Sequence, residues 1–316
     1  FLVESFKRGD RLTLVANENH WDGRPYLDKV EMLYIPEGNA RVIGLKSGDY
    51  DVITGVPYSQ AKAIGSTAGL NLEVQTIFKL DYVYLNHDAA PINSKDIRLA
   101  LNYAANREAI MKAVYFGYGE IPNGYMPKMS FTDPDVEAIP YDMAKAKELV
   151  TKSYDGTKIE LNIDAGNAPS KQIATILQQG WTEAGLNVEI VEADGGTNWG
   201  KIEKGDYQAT VSYITSDIND DDELAILQAD YTGGAKAFFT NYNNPEVTSI
   251  LRKAREESAP AERAKLYAQA QEIVVWDGYS VPLNYTPAMN AYHDHVKGWR
   301  NLTTGWWWLR DVWVDK

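Results

Sequence analysis

The chain has 316 residues, with 31 Lys and Arg against 44 Asp and Glu, a net charge of −13 and no cysteine. That balance argues against a duplex nucleic-acid binder, which must neutralise phosphates with Lys and Arg, and against attachment to anionic lipid through a basic face. Without cysteine there is no disulfide, thiolate zinc site or thiol nucleophile, and no apolar run approaches the roughly 20 residues that span a bilayer.

The length exceeds a usual single core, so two lobes are expected. Residues 1–6 alternate as a strand, and RLTLVAN and KVEMLYI follow as two more, separated by RGD and by an aromatic turn at Trp21-Asp22-Gly23. Because the chain opens inside an element, further residues, with any targeting signal, are expected upstream. Residues 37–46 read as a helix with Ala40, Ile43 and Gly44 on its inner face. Gly48 ends it and the chain resumes as a strand at 50–53. A short helix at 57–64 and a strand at 70–77 come next.

The stretch from Leu80 to Pro127 is the most structured in pattern. Tyr82-Val83-Tyr84-Leu85 is aromatic and β-branched, as strands are. Ser94 sits at a helix N-cap, with Ile97, Leu101 and Ala104 spaced to face inward. Asn106 caps a second helix that buries Ile110 and Val114 and stops at Gly117. Residues 128–140 read as loop, and Asp142 caps a helix carrying Ala146, Leu149 and Val150. A strand at 159–163, a loop at 166–170 and a helix bearing Ile173, Ile176, Leu177 and Trp181 follow. Strands at 186–191 and 208–213 flank a short helix at 199–203. This β-α-β alternation predicts α/β architecture with a largely parallel sheet. Residues 46–52 (KSGDYDV) echo 203–209 (EKGDYQA), each a helix ending at glycine before a strand. From Asn244 two helices are expected, one with Val247, Ile250 and Leu251 on a face. The other opens at Pro260 and buries Leu266, Ala270 and Ile273. Strands at 279–285 and 288–292 precede an aromatic end, where alternation sends at least one of Trp306, Trp307 and Trp308 into the core.

For chemistry, the sequence has no Gly-x-Ser-x-Gly elbow, phosphate loop or His-Glu-x-x-His helix. Carboxylates such as Asp217 and Asp220 could be imagined as a glycosidase pair, but nothing specifies their separation, and no enzyme is expected. His293 and His295 share a face if extended, yet two imidazoles without a further soft ligand do not define a metal site; a surface loop is the expected reading, with His20 and His87 structural. The polar segment 215–223 directly follows a strand, and ligands of open α/β sheets bind at strand carboxyl ends. Within it, Asp220 to Glu223 read as a solvated acidic run capping a helix.

Residues 96–104 (DIRLALNYA) with 106–110 (NREAI), the junction 117–124 with its GYG and PNG, and 141–146 (YDMAKA) form an ordered motif set. So do 244–247 (NPEV), 260–263 (PAER) and 296–300 (VKGWR). Together they resemble the family 5 solute-binding proteins of ABC importers, the group of dipeptide, oligopeptide and nickel binders, over essentially the whole chain. The resemblance implies a type II periplasmic-binding-protein-like α/β fold, with two hinged lobes that close on a ligand. It places lobe one at 1–124, lacking its first part, lobe two at 125–280, and a return to lobe one at 281–316. It also aligns Asp217 with the aspartate that takes a peptide's α-ammonium group in dipeptide-binding relatives. The arginine and tyrosine of those relatives are matched by Ala165 and Asn167, neither of which can hold a carboxylate bidentately. A plain dipeptide is therefore not implied, while another polar or cationic solute, or a longer peptide, is compatible.

Tyr213, Thr215 and Ser216 beside Asp217, with Asn167 and the junction residue Tyr125, complete the candidate ligand-binding set. The resemblance implies no catalytic residue, metal or cofactor. The implied partners are a small-molecule or peptide ligand and an inner-membrane ABC permease, with no nucleic acid, the protein being a monomer. The implied location is the periplasm, or outside the cell on a lipid anchor in a Gram-positive organism. A chemoreceptor-coupled sensor, or a binder of an oligosaccharide or nickel complex, uses the same fold.

Overall fold

Short polar side chains start many of the elements. In a computed structural model, which describes residues 1–129, 131, 135–232 and 239–315, Asn106, Asp142, Asn167, Asp194 and Asn244 each accept a backbone N–H at a helix start. Each satisfies a donor that would otherwise be orphaned. Ser94 also occupies an N-cap, but its side chain makes no capping bond. The chain divides into two compact units, residues 1–77 with 287–316, and residues 78–286.

The first unit opens with an antiparallel meander of β1 (Leu2–Lys7), β2 (Arg11–Val15) and β3 (Lys29–Leu33). Helix α1 (Gly38–Ser47) leads to β4 (Val52–Thr54), then α2 (Tyr58–Gly65) to β5 (Leu70–Gln75). The inner face of α1 is Val42, Gly44 and Leu45, whereas Ile43, expected inside, is 68% exposed. The Tyr50 ring sets this orientation: a Cβ on Gly44 would lie 2.1 Å from it.

The second unit begins with β6 (Lys79–Leu85), α3 (Lys95–Tyr103), α4 (Arg107–Ala113) and α5 (Met143–Ser153). It continues through β7 (Ile159–Asp164), α6 (Ala168–Glu183), β8 (Val188–Ala193), α7 (Gly195–Lys204) and β9 (Ala209–Thr215). Helices α8 (Asp221–Ala229), α9 (Pro245–Glu256) and α10 (Pro260–Trp276) and strand β10 (Ser280–Tyr285) complete it. In the loop expected at 128–140, residues 130 and 132–134 lie outside the described residues, and the others form no regular element.

The five-stranded sheet of this unit runs β10-β6-β9-β7-β8. Strand β7 pairs in parallel with β8 and β9, while β6 is antiparallel to both its neighbours. The expected parallel sheet is thus interrupted by one reversed strand, β6, next to the β10 edge. Leu80, Tyr82, Val83, Tyr84 and Leu85 of β6 are completely buried, as a strand covered on both faces requires. The lobe crossings expected at 124–125 and 280–281 both fall inside this unit, because β6 and β10 hydrogen-bond into the same sheet as β7, β8 and β9.

The sequence echo corresponds to one joint used in both units. Gly48 (φ 84°) after α1 and Gly205 (φ 68°) after α7 adopt the left-handed conformation that closes a helix before β4 and β9.

Helix α6 packs on the α3–α4 turn at very short range. The fully buried Trp181 donates from Nε1 to Leu101 O at 2.9 Å, and a Cβ on the adjacent Gly180 would stand 2.4 Å from Ala104 O. Glycine to alanine in a helix interior normally stabilises by about 1 kcal/mol. Here a backbone carbonyl blocks the methyl, so Gly180→Ala should instead destabilise by about 2 kcal/mol. Gly200→Ala in α7, where a Cβ meets nothing within 4 Å, is the control and should be neutral or stabilising. Urea denaturation of both variants checks this; a Gly180→Ala protein as stable as wild type refutes the clash.

The chain then returns to the first unit. Strand β11 (Ala288–His293) inserts antiparallel between β4 and β5, and β12 (Val296–Lys297) pairs with β13 (Trp313–Val314). Trp306, Trp307 and Trp308 stay at the surface, 63%, 41% and 37% exposed, and none enters the core. Alternation fails there because 306–312 is not a strand. The Trp308 Nε1 donates to Asp311 Oδ2 at 3.1 Å and its ring lies under Arg300.

Candidate functional site

Strands β7 and β9 are parallel neighbours, paired at Leu161–Ala209 and Asn162–Thr210. The loops that leave their carboxyl ends, 165–167 and 216–220, therefore emerge at the same end of the sheet, where open α/β folds place ligands. Along the end of β9 the side chains alternate, Tyr213 and Thr215 exposed, Ile214 and Ser216 buried. The antiparallel partner β6 sets Lys79 opposite Thr215 and Asp81 opposite Tyr213. Lys79 Nζ lies 3.1 Å from Asp81 Oδ1 and 4.9 Å from the centre of the Tyr213 ring. Asp81 Oδ2 accepts from Tyr115 OH at 2.8 Å and Thr286 Oγ1 at 2.5 Å.

The loop after β9 is fixed from several sides. Ser216 N donates to Phe78 O at 3.0 Å, and Ser216 Oγ, fully buried, donates to Glu223 Oε2 at 2.6 Å. Asp220 receives both ends of the Arg263 guanidinium, at 2.6 and 2.8 Å. Burial alone would raise the Asp220 carboxyl, but the Arg263 hydrogen bonds, the Asp222 N–H and the nearby cationic charge outweigh it and hold it below the usual carboxylate range. Asp221 is fully buried and accepts Phe131 N at 2.9 Å, and Asp222 pairs with Arg255 at 3.1 Å. The acidic run 220–223 is therefore turned inward and paired, contrary to the solvated run expected, because arginine-bearing helices α9 and α10 line its inner side. Asp217 is the exposed carboxylate of this segment.

The remaining candidates separate from it. Asn167 is exposed but its Oδ1 accepts Ser170 N at 3.1 Å, so it caps α6. Tyr125, expected to border the ligand, is 1% exposed and packs edge-on against Tyr279 at 5.5 Å; burial drives its phenol pKa upward. Its apolar neighbours in the core take a tyrosine ring as readily as a cleft would, which local sequence does not reveal. Tyr213, Thr215 and Asp217 are thus brought together at the surface, while Ser216 and Tyr125 lie beneath it. Lys79 carries no motif; only its register opposite Thr215 brings it here.

The histidines take separate structural partners. His293 ends β11 rather than lying in a loop, its Nε2 2.7 Å from Leu45 O, and its ring stacks on His295, whose Nε2 is 2.7 Å from Asp51 Oδ1. Among the described residues no group of three or more His, Cys, Asp or Glu is placed to hold a metal ion. His87 Nε2 meets Tyr279 O at 3.1 Å, and His20 Nδ1 accepts Asp22 N at 3.3 Å.

Residues 1–236 match the family described as bacterial extracellular solute-binding proteins, family 5 middle. The chain belongs to that family. This family 5 protein is 26% identical over 307 residues to heme-binding protein A of Haemophilus influenzae, covering 95% of this chain and 56% of that one. It is 26% identical over 322 aligned positions to the glutathione-binding protein GsiB of Salmonella paratyphi A, covering 99% and 62%. Among solved structures it superposes with TM-score 0.90 and 24% identity on the ABC transporter-associated periplasmic binding protein DppA of Helicobacter pylori in complex with the peptide STSA, covering 99% of this chain and 62% of that one. The fold is therefore that of the type II periplasmic binding proteins, and the family 5 chain spans 56–62% of the length of these relatives. Among the described residues no helix is long and apolar enough to cross a membrane.

Proposed function

We propose that this chain is the solute-binding component of an ABC importer, capturing a small polar, peptide-like solute in the periplasm for delivery to a membrane permease. Family membership supports the binding role. Relatives named for glutathione and for D,D-dipeptides, and a structural neighbour holding a tetrapeptide, support the peptide-like class. The protein works as a monomer, takes no nucleic acid and performs no covalent chemistry; the ligand-selected conformation is what the permease reads.

The observation that carries the reading is Asp217. It is exposed on a loop whose neighbouring acids, Asp220 to Glu223, are drawn inward to hold the loop still. A carboxylate presented this way suits an ammonium group, in a charge-assisted hydrogen bond contributing roughly 1.5–3 kcal/mol. Asp217→Asn should accordingly weaken trialanine binding by about 10- to 100-fold in calorimetry, with little change in melting temperature. Unaltered affinity would remove Asp217 from the site.

A further inference from the structure

The polar face at the end of β9 carries charges of both signs. Tyr213 and Thr215 share the exposed face of β9, Asp217 follows in the bend two residues past its end, and β6 sets Lys79 directly opposite Thr215. The hydrogen bond from Ser216 N to Phe78 O ties the two segments together between Lys79 and Asp217. Strand spacing of about 4.8 Å across and about 3.3 Å per residue, carried two residues past Thr215, gives a backbone separation of about 8 Å between Lys79 and Asp217. Two to three extended residues span that length.

Lys79 is held ready rather than used up. Its ammonium has three donors, and Asp81 Oδ1 at 3.1 Å takes one. The other Asp81 oxygen is engaged by the Tyr115 and Thr286 hydroxyls. The Tyr213 ring at 4.9 Å favours the charge from one side, and a quarter of the side chain stays exposed. The neighbouring loop at 165–167 (Ala-Gly-Asn) offers no cation of its own.

The geometry points to Lys79 as a specificity-determining residue that receives the carboxylate of a short zwitterionic ligand whose ammonium group meets Asp217. This rests on the peptide-like reading above and narrows it to a class, short peptides with both termini free.

Calorimetry with trialanine, trialanine amide and N-acetyl-trialanine tests the assignment. Wild type should bind the free acid at least about 10-fold more tightly than the amide. Lys79→Met and Lys79→Gln should erase that preference by weakening the acid alone, Lys79→Arg should restore most of it, and the penalty for N-acetylation should stay as in wild type. If acid and amide bind wild type equally, or if both neutral variants keep the preference, the Lys79 assignment falls and the peptide-like reading stands. If wild type binds none of the three, the peptide-like reading falls and takes the Lys79 assignment with it.

Discussion

Arg263→Ala should lower the unfolding free energy by about 3 kcal/mol and loosen the loop that presents Asp217. The Arg263 side chain is only 17% exposed and uses nearly all its donors. Two go to Asp220, Nε goes to Ala254 O at 3.1 Å, and Nη2 also reaches Tyr267 OH at 3.0 Å. Its guanidinium carbon Cζ lies 4.8 Å from the centre of the Phe131 ring. One residue thus joins the end of α9, the body of α10 and the acidic loop after β9. Removing one partner of a buried ion pair costs roughly 3–5 kcal/mol; the lower end applies because the Asp220 side chain is 32% exposed. The effect should be local as well as global. Backbone amides of 216–222 should exchange faster with deuterium in the variant, while those of β7 and β8 keep their protection. The double variant Arg263→Ala/Asp220→Ala should be less unstable than the sum of the singles, since the stranded carboxylate is gone. A loss below about 0.5 kcal/mol, with exchange unchanged, would show that the clamp does not hold the loop.

That clamp also marks the limit of what the sequence discloses. Helix starts are local events, and Asn106, Asp142 and Pro260 were legible because a cap or an N-terminal proline acts within a few residues. The helix-glycine-strand joints at Gly48 and Gly205 were legible for the same reason. The run Asp220 to Glu223 reads as solvated in the sequence because its partners, Arg255 and Arg263, lie 33 and 43 residues further on. No window that registers a charge run contains the charges that answer it.

The strand character of β6 was equally plain in Tyr82 to Leu85, but its sheet was not. Membership depends on pairing with β9, more than a hundred residues away, and that pairing carries β6 into the unit where β10 also lies. The same register makes Lys79 a neighbour of Thr215. Side-chain direction was the other unknown. Tyr125 and Ser216 sit in segments of turn and loop, where no periodicity tells core from surface, and both proved buried. Asp217, by contrast, came from the family resemblance rather than from any local pattern, and it is exposed.

Acid should destabilise the protein well before its carboxylates titrate, and His87 is the reason. Burial, with a smaller contribution from the Arg98 charge, lowers its pKa from about 6.5 to about 3. The ring packs edge-on against Tyr242 and its neutral Nε2–H donates to Tyr279 O. The unfolded chain takes up this proton near pH 6.5, whereas the folded chain resists until about pH 3. Between those values the unfolded state binds one proton more, so stability falls as pH falls. Two pH units below 6.5 would cost about 2.7 kcal/mol for a fully enclosed ring. His87 retains some accessible surface, and about 2 kcal/mol is the realistic figure at about pH 4.5. The lowered carboxyls of Asp220, Asp230 and Asp277 act in the same direction but only below about pH 4, so the upper window isolates the histidine. His87→Gln keeps an N–H for Tyr279 O and cannot be protonated. Urea titrations at about pH 7 and about pH 4.5 should therefore show wild type losing about 2 kcal/mol more than the variant. Parallel losses in the two proteins would mean that His87 takes up its proton in the folded state without penalty, and that its burial is not what keeps it neutral.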